Sequence, residues 1–187
     1  MVSHSLVLGY HGCDRRLAQD IFSATDYLKP SQNAWDWLGH GIYFWEDSHA
    51  RADRWGREES SRSHSQIKNP AVAGAIIDLG NCLNLADADA LKQIRVAHEA
   101  YLEICAKTGA LVAQNRGSKL GARYLDCAVM EMLHQLRPGR GTKASRHRPG
   151  IFHGGPGVIS RSRISGVRSH SNLCPFASAN HRLLLAS

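Results

Sequence analysis

Residues 35–55, WDWLGHGIYFWEDSHARADRW, contain the strongest structural pattern in the chain. Two glycines flank a histidine and lead into residues 42–45, a run of β-branched and aromatic side chains that favours a strand. Because side chains alternate along a strand, Tyr43 is expected on one face, while Ile42 and Phe44 point to the core from the other. A serine follows an acidic pair and predicts that a helix begins there, over residues 48–57.

Strands and helices are also predicted on either side of this segment. Residues 6–10 form a short apolar run typical of a strand, and Asp14 is placed to cap a helix over residues 15–24. Residues 71–79 are almost wholly apolar, which predicts a buried strand. Two helices follow, over residues 90–106 and 122–136. Their predicted buried positions are Leu91, Ile94, Ala97, Tyr101 and Ile104 in the first, and Leu125, Val129, Met132 and Leu136 in the second.

The composition predicts one domain with its own core. The chain has 187 residues, 43% of them apolar. It has no run of about 18 apolar residues that could span a membrane. The N-terminal residues lack the charged and apolar regions of a signal peptide. Five widely spaced cysteines form no C-x-x-C pair, so no disulfide framework or zinc site is indicated, and reduced thiols in a cytoplasmic protein are expected.

Basic charge is concentrated at the C-terminal end of the chain. The net charge is +7, yet all 16 acidic residues lie at or before Glu131, and nine of the 23 Lys and Arg residues lie after it. The sequence up to Glu131 is therefore slightly acidic, which argues against a nucleic-acid-binding surface in that part. A long stretch without any acid is unusual for a globular domain. These features predict a domain over residues 1–140 and a basic, irregular tail over residues 141–187.

Two short motifs occur in an order that resembles a known family. The first strand leads into residues 10–12 (YHG), a helix follows, and a later strand opens with residues 41–44 (GIYF). This order resembles the ADP-ribosyltransferase superfamily of the diphtheria-toxin and poly(ADP-ribose) polymerase type. The resemblance covers residues 1–55 closely and the strand at 71–79 more loosely. It implies an α+β fold in which two small facing antiparallel sheets, flanked by helices, enclose a cleft for NAD.

The resemblance implies a role for each of four residues. His11 corresponds to the histidine that hydrogen-bonds the adenosine-side ribose, and Gly12 to the glycine whose backbone holds the nicotinamide carboxamide. A glycine allows that approach because it has no side chain. Tyr43 corresponds to the tyrosine that stacks on the nicotinamide ring, and Ser31 to a loop serine that lines the nicotinamide ribose. His11 and Tyr43 are thus the expected catalytic residues, with NAD as the substrate and an oxocarbenium-like reacting centre.

Each of these residues also has a structural interpretation. A single histidine at a strand end, such as His11, more often satisfies a backbone group than it binds a ligand, and a single tyrosine such as Tyr43 more often belongs to the core or its rim. His40 is interpreted as a loop residue, and Asp126 as a surface or capping acid. The ordered pair of motifs favours the functional interpretation of His11, Gly12 and Tyr43.

The family that this chain resembles has a third catalytic residue, for which this sequence offers no clear counterpart. That residue is an acid or a glutamine on a late strand, where it stabilises positive charge and orients the nucleophile. This chain has no Asp or Glu after Glu131, and its late amides are Asn172 and Asn180. A frameshift would explain the difference. Residues 158–175 can be encoded by a DNA segment that gives LYPGAGFQESEAIQICVR when it is translated in the frame shifted by one base. That alternative sequence contains two glutamates and an alternating pattern typical of a strand.

Three functions follow from these observations. The first is an NAD-dependent ADP-ribosyltransferase, impaired if the third residue is lost, that acts on a protein, nucleic-acid or small-molecule acceptor. The second is an inactive module that binds NAD or ADP-ribose. The third is a nucleic-acid-binding protein that uses its basic tail, although no aromatic residues are interleaved with the arginines there.

Overall fold

A computed structural model describes residues 6–79, 82–117 and 120–137, together with the strands at 158–159, 173–174 and 182–186. The elements in chain order are β1 (Leu6–Asp14), α1 (Arg15–Phe22), β2 (Ile42–Glu46), α2 (His49–Ser60), β3 (Pro70–Asp78), β4 (Leu83–Asn84), α3 (Ala88–Thr108), α4 (Tyr124–Leu136), β5 (Val158–Ile159), β6 (Leu173–Cys174) and β7 (Arg182–Ala186). The predicted α+β class with antiparallel strands and helices is confirmed.

Strand β1 lies between β2 and β3 in the sheet, whose order is β4-β6-β7-β2-β1-β3-β5. It pairs with β3 along its whole length, from Leu6 opposite Asp78 to Asp14 opposite Pro70. Its ladder with β2 has only two residue pairs. The described strands are therefore joined into one sheet, and the expected division into two facing sheets around a cleft stays a prediction. The ladder between β1 and β2 is short, in contrast to the full-length ladder between β1 and β3.

The two faces of the sheet pack against different helices. One face meets α1, where the buried residues are Ile21, Leu28, Ile42, Phe44, Ala75 and Ile77, and a smaller group of Cys13, Ala18 and Ala73 continues it. The predicted core positions of Ile42 and Phe44 are confirmed. The other face of β1 lies under α2. A separate cluster joins α3 and α4 to the loop before β2 and consists of Leu38, Leu83, Leu85, Ala90, Ala97, Val129, Met130 and Leu133.

The helix boundaries follow local signals in the sequence. Asp14 caps α1 as predicted, because its carboxylate accepts the backbone N–H of Arg16. Gly109 ends α3 with a φ of 69°, a left-handed conformation that glycine adopts without steric cost. Ser48 occupies the predicted cap position of α2, but its side chain makes no capping hydrogen bond.

Three predictions about the elements are wrong. Strand β1 does not end at Tyr10 but continues through His11 to Asp14, because β3 pairs with it over that stretch. Leu136 of α4 is 49% exposed, whereas Val129 is buried as predicted, and Cys127, Met130 and Leu133 are buried as well. In α3, Leu91 and Ile104 are exposed, whereas Ala97 is buried as predicted. Both helices carry apolar residues around much of their circumference, so spacing alone does not single out the buried side.

The cysteines differ from the expected set of reduced thiols. Cys82 is disulfide-bonded, whereas Cys13, Cys105 and Cys127 are free. Burial raises the pKa of both Cys13 and Cys127 to about 11, so these two thiols stay protonated near neutral pH and are poor nucleophiles. Spacing along the chain does not show which cysteines approach each other in the fold, which is why the disulfide was missed.

Two further observations concern the rest of the chain. Strand β7 pairs with β2 from Ile42 opposite Ala186 to Glu46 opposite Arg182, in a region predicted to be irregular. A short strand can form on an existing strand edge, which local sequence patterns do not reveal.

Asn172 and Asn180 lie outside the described residues. Within the described parts of the chain, no helix is both long and apolar enough to cross a bilayer.

Candidate functional site at the junction of β1 and β2

Pairing between β1 and β2 stops after Gly9 opposite Glu46 and Tyr10 opposite Trp45. If the ladder continued, His11 would lie opposite Phe44, and the ring centroids of these two residues are indeed 5.8 Å apart. Instead, the imidazole Nδ1 of His11 lies 2.7 Å from the carbonyl oxygen of Tyr43. A side chain therefore occupies the place where a backbone ladder would otherwise form, and it marks the start of a split between the two strands.

The hydrogen bond fixes the tautomer of His11. A carbonyl oxygen only accepts, so Nδ1 must carry the proton when the ring is neutral, and Nε2 is then an unprotonated acceptor. Burial lowers the pKa of His11 below its ordinary value of 6.5, although the bond to Tyr43 acts in the opposite direction. The Trp55 ring lies 6.5 Å from the imidazole and contributes to this burial. The site therefore contains a neutral, half-buried imidazole with a fixed orientation.

Gly12 is needed for packing between β1 and α2. A Cβ atom at this position would lie 2.6 Å from the carbonyl oxygen of Ala52 and 3.0 Å from the Trp55 ring. Helix α2 thus approaches the β1 backbone so closely that a residue with a side chain at position 12 would collide with it. The edge of β1 that faces β2 has no ladder partner beyond Tyr10 within residues 6–79. The predicted contact between the Gly12 backbone and nicotinamide stays a prediction.

The Tyr43 ring lies on the other side of β2 from His11. His11 sits beside Phe44, and alternation along the strand sends the intervening side chain of Tyr43 to the opposite face. There the half-buried ring packs against the α3–α4 cluster, and its hydroxyl donates to the Gly39 carbonyl at 2.7 Å. Burial is the main cause that raises the pKa of Tyr43, and the negative charge of Asp36 raises it further. The phenol therefore remains a hydrogen-bond donor. The structure brings His11 to the main chain of Tyr43 and not to its ring.

Ser31 lies next to the beginning of β2. Its backbone N–H donates to Gly41 O at 2.8 Å, and Gly41 N–H donates to Ser31 O at 3.1 Å. The Ser31 hydroxyl accepts a hydrogen bond from Asn33 Nδ2 at 2.9 Å. The loop serine is therefore held beside Gly41, which precedes Tyr43 by two residues, in the same part of the molecule as the β1–β2 split.

Helix α4 holds the loop before β2, which sequence reasoning missed. Three positions spaced by four residues contact the loop backbone. Arg123 N–H donates to Trp35 O at 3.4 Å, the Cys127 thiol to Asn33 O at 3.6 Å, and His40 N–H donates to Glu131 Oε1 at 2.6 Å. The i, i+4, i+8 spacing is visible in the sequence, but nothing local indicates which segment that side of the helix contacts.

The described residues offer no metal site, since they contain no cluster of three or more His, Cys, Asp or Glu side chains that could hold an ion. The groups available are the fixed imidazole acceptor of His11 and the incompletely paired edge of β1 at the split, and the half-buried ring of Tyr43 on the opposite face of β2. These suit an organic ligand that has hydroxyl groups and a planar ring.

Comparison with known proteins adds one relative. No family model matches the sequence, and no solved structure matches it. The chain is similar to the uncharacterized protein MJ0359 of Methanocaldococcus jannaschii, with 38% identity over 76 residues. That match covers 40% of this chain and 34% of the relative, so the shared segment spans only a minor part of either protein. The relative's name states no activity, and any function must be argued from the site.

Proposed function

We propose that the chain is an ADP-ribosyltransferase domain that binds NAD at the β1–β2 split and transfers ADP-ribose to an acceptor, releasing nicotinamide. The observation that carries the proposal is the 2.7 Å contact between His11 Nδ1 and Tyr43 O. It ties together the two motifs on which the family resemblance rests. It also leaves Nε2 of His11 as an oriented acceptor next to an incompletely paired strand edge.

His11 suits recognition of a ribose hydroxyl. A hydroxyl group can donate to the Nε2 lone pair, provided that the imidazole is neutral and its tautomer is fixed. Both conditions hold, since burial lowers the pKa of His11 and the carbonyl of Tyr43 keeps the proton on Nδ1. A group oriented in advance loses little entropy when the ligand binds, so the arrangement favours affinity.

Tyr43 suits contact with the nicotinamide ring. Its hydroxyl is anchored to Gly39 O, which restricts rotation of the half-exposed ring. A fixed aromatic face can stack on a planar ring and hold the scissile bond between ribose and nicotinamide in a reactive orientation. Ser31 is backbone-paired to Gly41, and so lies where it can line the same end of the ligand.

The second candidate is a module that binds NAD without transferring ADP-ribose. The chain has no Asp or Glu after Glu131, and cleavage of the glycosidic bond depends on stabilising the positive charge that develops on the ribose. Without an acid or amide at the reacting carbon, binding would persist while the rate of transfer fell. The two candidates therefore differ in catalysis and agree on the NAD site.

Incubation with NAD labelled in the adenylate part separates them. The protein, His11→Ala and Tyr43→Ala are assayed for label transferred to protein and for released nicotinamide. A transferase gives both products, and each variant lowers their rate. NAD binding without either product identifies the binding module. Equal product from all three proteins contradicts catalysis at this site.

A further inference from the structure

The peptide group between Gly39 and His40 is held at both of its ends. Its carbonyl accepts the Tyr43 hydroxyl at 2.7 Å, and its N–H donates to Glu131 Oε1 at 2.6 Å. The other carboxylate oxygen of Glu131 lies 3.5 Å from His40 Nδ1. One peptide group thus connects a carboxylate on α4 to the phenol of the predicted nicotinamide-stacking residue.

The backbone at Gly39 does not fix the orientation of this peptide group by itself. Gly39 has a φ of +84°, in the left-handed region, and closes a turn in which its N–H donates to Asp36 O at 2.9 Å. Glycine exchanges between left- and right-handed conformations at little cost, so a neighbouring peptide group can rotate. Rotation would turn the carbonyl towards the Glu131 carboxylate and the N–H towards the Tyr43 hydroxyl. Only the hydroxyl could then gain a new bond, as an acceptor, while two acceptors would face each other at Glu131.

Glu131 therefore selects one of two orientations. A carboxylate accepts from an N–H group but strongly disfavours a facing carbonyl oxygen. The short contact to His40 N–H also polarises the peptide group, which strengthens the bond that Gly39 O receives from Tyr43. A Cβ atom on Gly39 would lie 2.6 Å from Glu131 Oε1, so glycine also leaves room for the carboxylate.

We propose that Glu131 is a positioning residue for the nicotinamide end of the site, acting on Tyr43 through the Gly39–His40 peptide group. This inference rests on the proposed NAD site. Glu131 reaches that site through the peptide group, because one of its carboxylate oxygens is already bonded to His40 N–H. Its role thus differs from that of the missing catalytic acid, which would touch the reacting ribose.

Two substitutions of Glu131 separate these roles. In Glu131→Gln the side-chain carbonyl can still accept from His40 N–H, whereas in Glu131→Ala the acceptor is gone. A single hydrogen bond of this kind corresponds to a factor of roughly ten in an equilibrium constant. We expect Glu131→Ala to weaken NAD binding about tenfold on that basis. Glu131→Gln should retain most of the affinity.

The experiment measures NAD affinity by calorimetry, the melting temperature, and hydrogen exchange of the His40 amide. Glu103→Gln is the matched control, since Glu103 is a helix carboxylate that is 63% exposed and paired with Lys107. In addition, Tyr43→Phe should reproduce the loss seen in Glu131→Ala, and the double variant should lose no more than either single one, because both act through one peptide group.

Three outcomes overturn the inference. The first is wild-type affinity for NAD in Glu131→Ala. The second is full additivity of Glu131→Ala and Tyr43→Phe. The third is loss of turnover in Glu131→Gln with unchanged NAD affinity, which would make Glu131 a group that touches the reacting atoms. If the wild-type protein itself fails to bind NAD, the proposed function fails instead. Exchange of the His40 amide then still shows whether Glu131 holds the peptide group, because Glu131→Ala must accelerate it and Glu131→Gln must not.

Discussion

The His11 imidazole bonds to the main chain of Tyr43, with Nδ1 2.7 Å from the carbonyl oxygen, at the point where β1 and β2 stop pairing. The two residues are 32 positions apart, and they are not paired with each other in the ladder between β1 and β2. This single hydrogen bond connects the two strands directly beyond their last ladder pair, and it fixes the orientation of the imidazole. It accounts for a histidine at this position whether or not a ligand is bound.

Gly12→Ala should destabilise the fold. The added methyl group would lie 2.6 Å from Ala52 O, so α2 must move away from β1. Overpacking of this kind costs about 1–3 kcal/mol of unfolding free energy. Gly74→Ala is the control, because its Cβ would meet only the Tyr10 ring at 3.6 Å. Urea unfolding of both variants checks the prediction, and equal stability of the two would contradict the account of Gly12 packing.

The stability of the protein should fall in mildly acidic solution through His11. Its pKa in the folded state is lowered by burial, so the unfolded chain binds a proton first as the pH drops below 6.5. The unfolding free energy is therefore unaffected above that value and decreases below it, by at most about 1.4 kcal/mol per pH unit, until the folded pKa is reached.

Urea unfolding at about pH 7.5 and about pH 5.5, on either side of the ordinary histidine pKa, tests this dependence for the wild type and His11→Gln. The glutamine variant should lose less stability between the two conditions, because Gln does not titrate. His64→Gln serves as the control at an exposed position. An equal loss in the wild type and His11→Gln would show that His11 is not buried in its neutral form.

Asp14→Ala should weaken the connection between α1 and the loop before β3. The Asp14 carboxylate accepts from the backbone N–H groups of Arg16, Lys68 and Asn69, and these bonds lower its pKa. Loss of a helix cap alone costs about 0.5–2 kcal/mol. Asp20→Ala, elsewhere on α1, should cost less. A melting temperature that falls equally in both variants would contradict a special role for Asp14.

Local patterns were sufficient to predict most elements of the domain. Alternation and apolar runs located β2 and β3, and a capping residue located the start of α1. The buried side of α4 was predictable only in part, because apolar residues occur around its circumference and the tertiary partner decides which are covered. The length of β1 likewise depends on β3, a partner distant in the sequence.

The candidate site was predictable only in part. The family resemblance selected His11, Gly12, Ser31 and Tyr43, and the strand alternation placed Phe44 in the core. Residue spacing did not show that His11 would bond the main chain of Tyr43 while their side chains occupy opposite faces. The bond from His40 to Glu131 joins residues 91 positions apart, so no local pattern could indicate it.

Calorimetric titration of the wild type, His11→Ala and His64→Ala with NAD tests the central claim most directly. The account predicts that the wild type and His64→Ala bind NAD with the same affinity, because His64 is exposed and takes no part in the site. His11→Ala should bind at least about tenfold more weakly, since the ribose hydroxyl loses its acceptor. Equal affinity in all three proteins, or no binding by the wild type, would contradict an NAD site at the β1–β2 split.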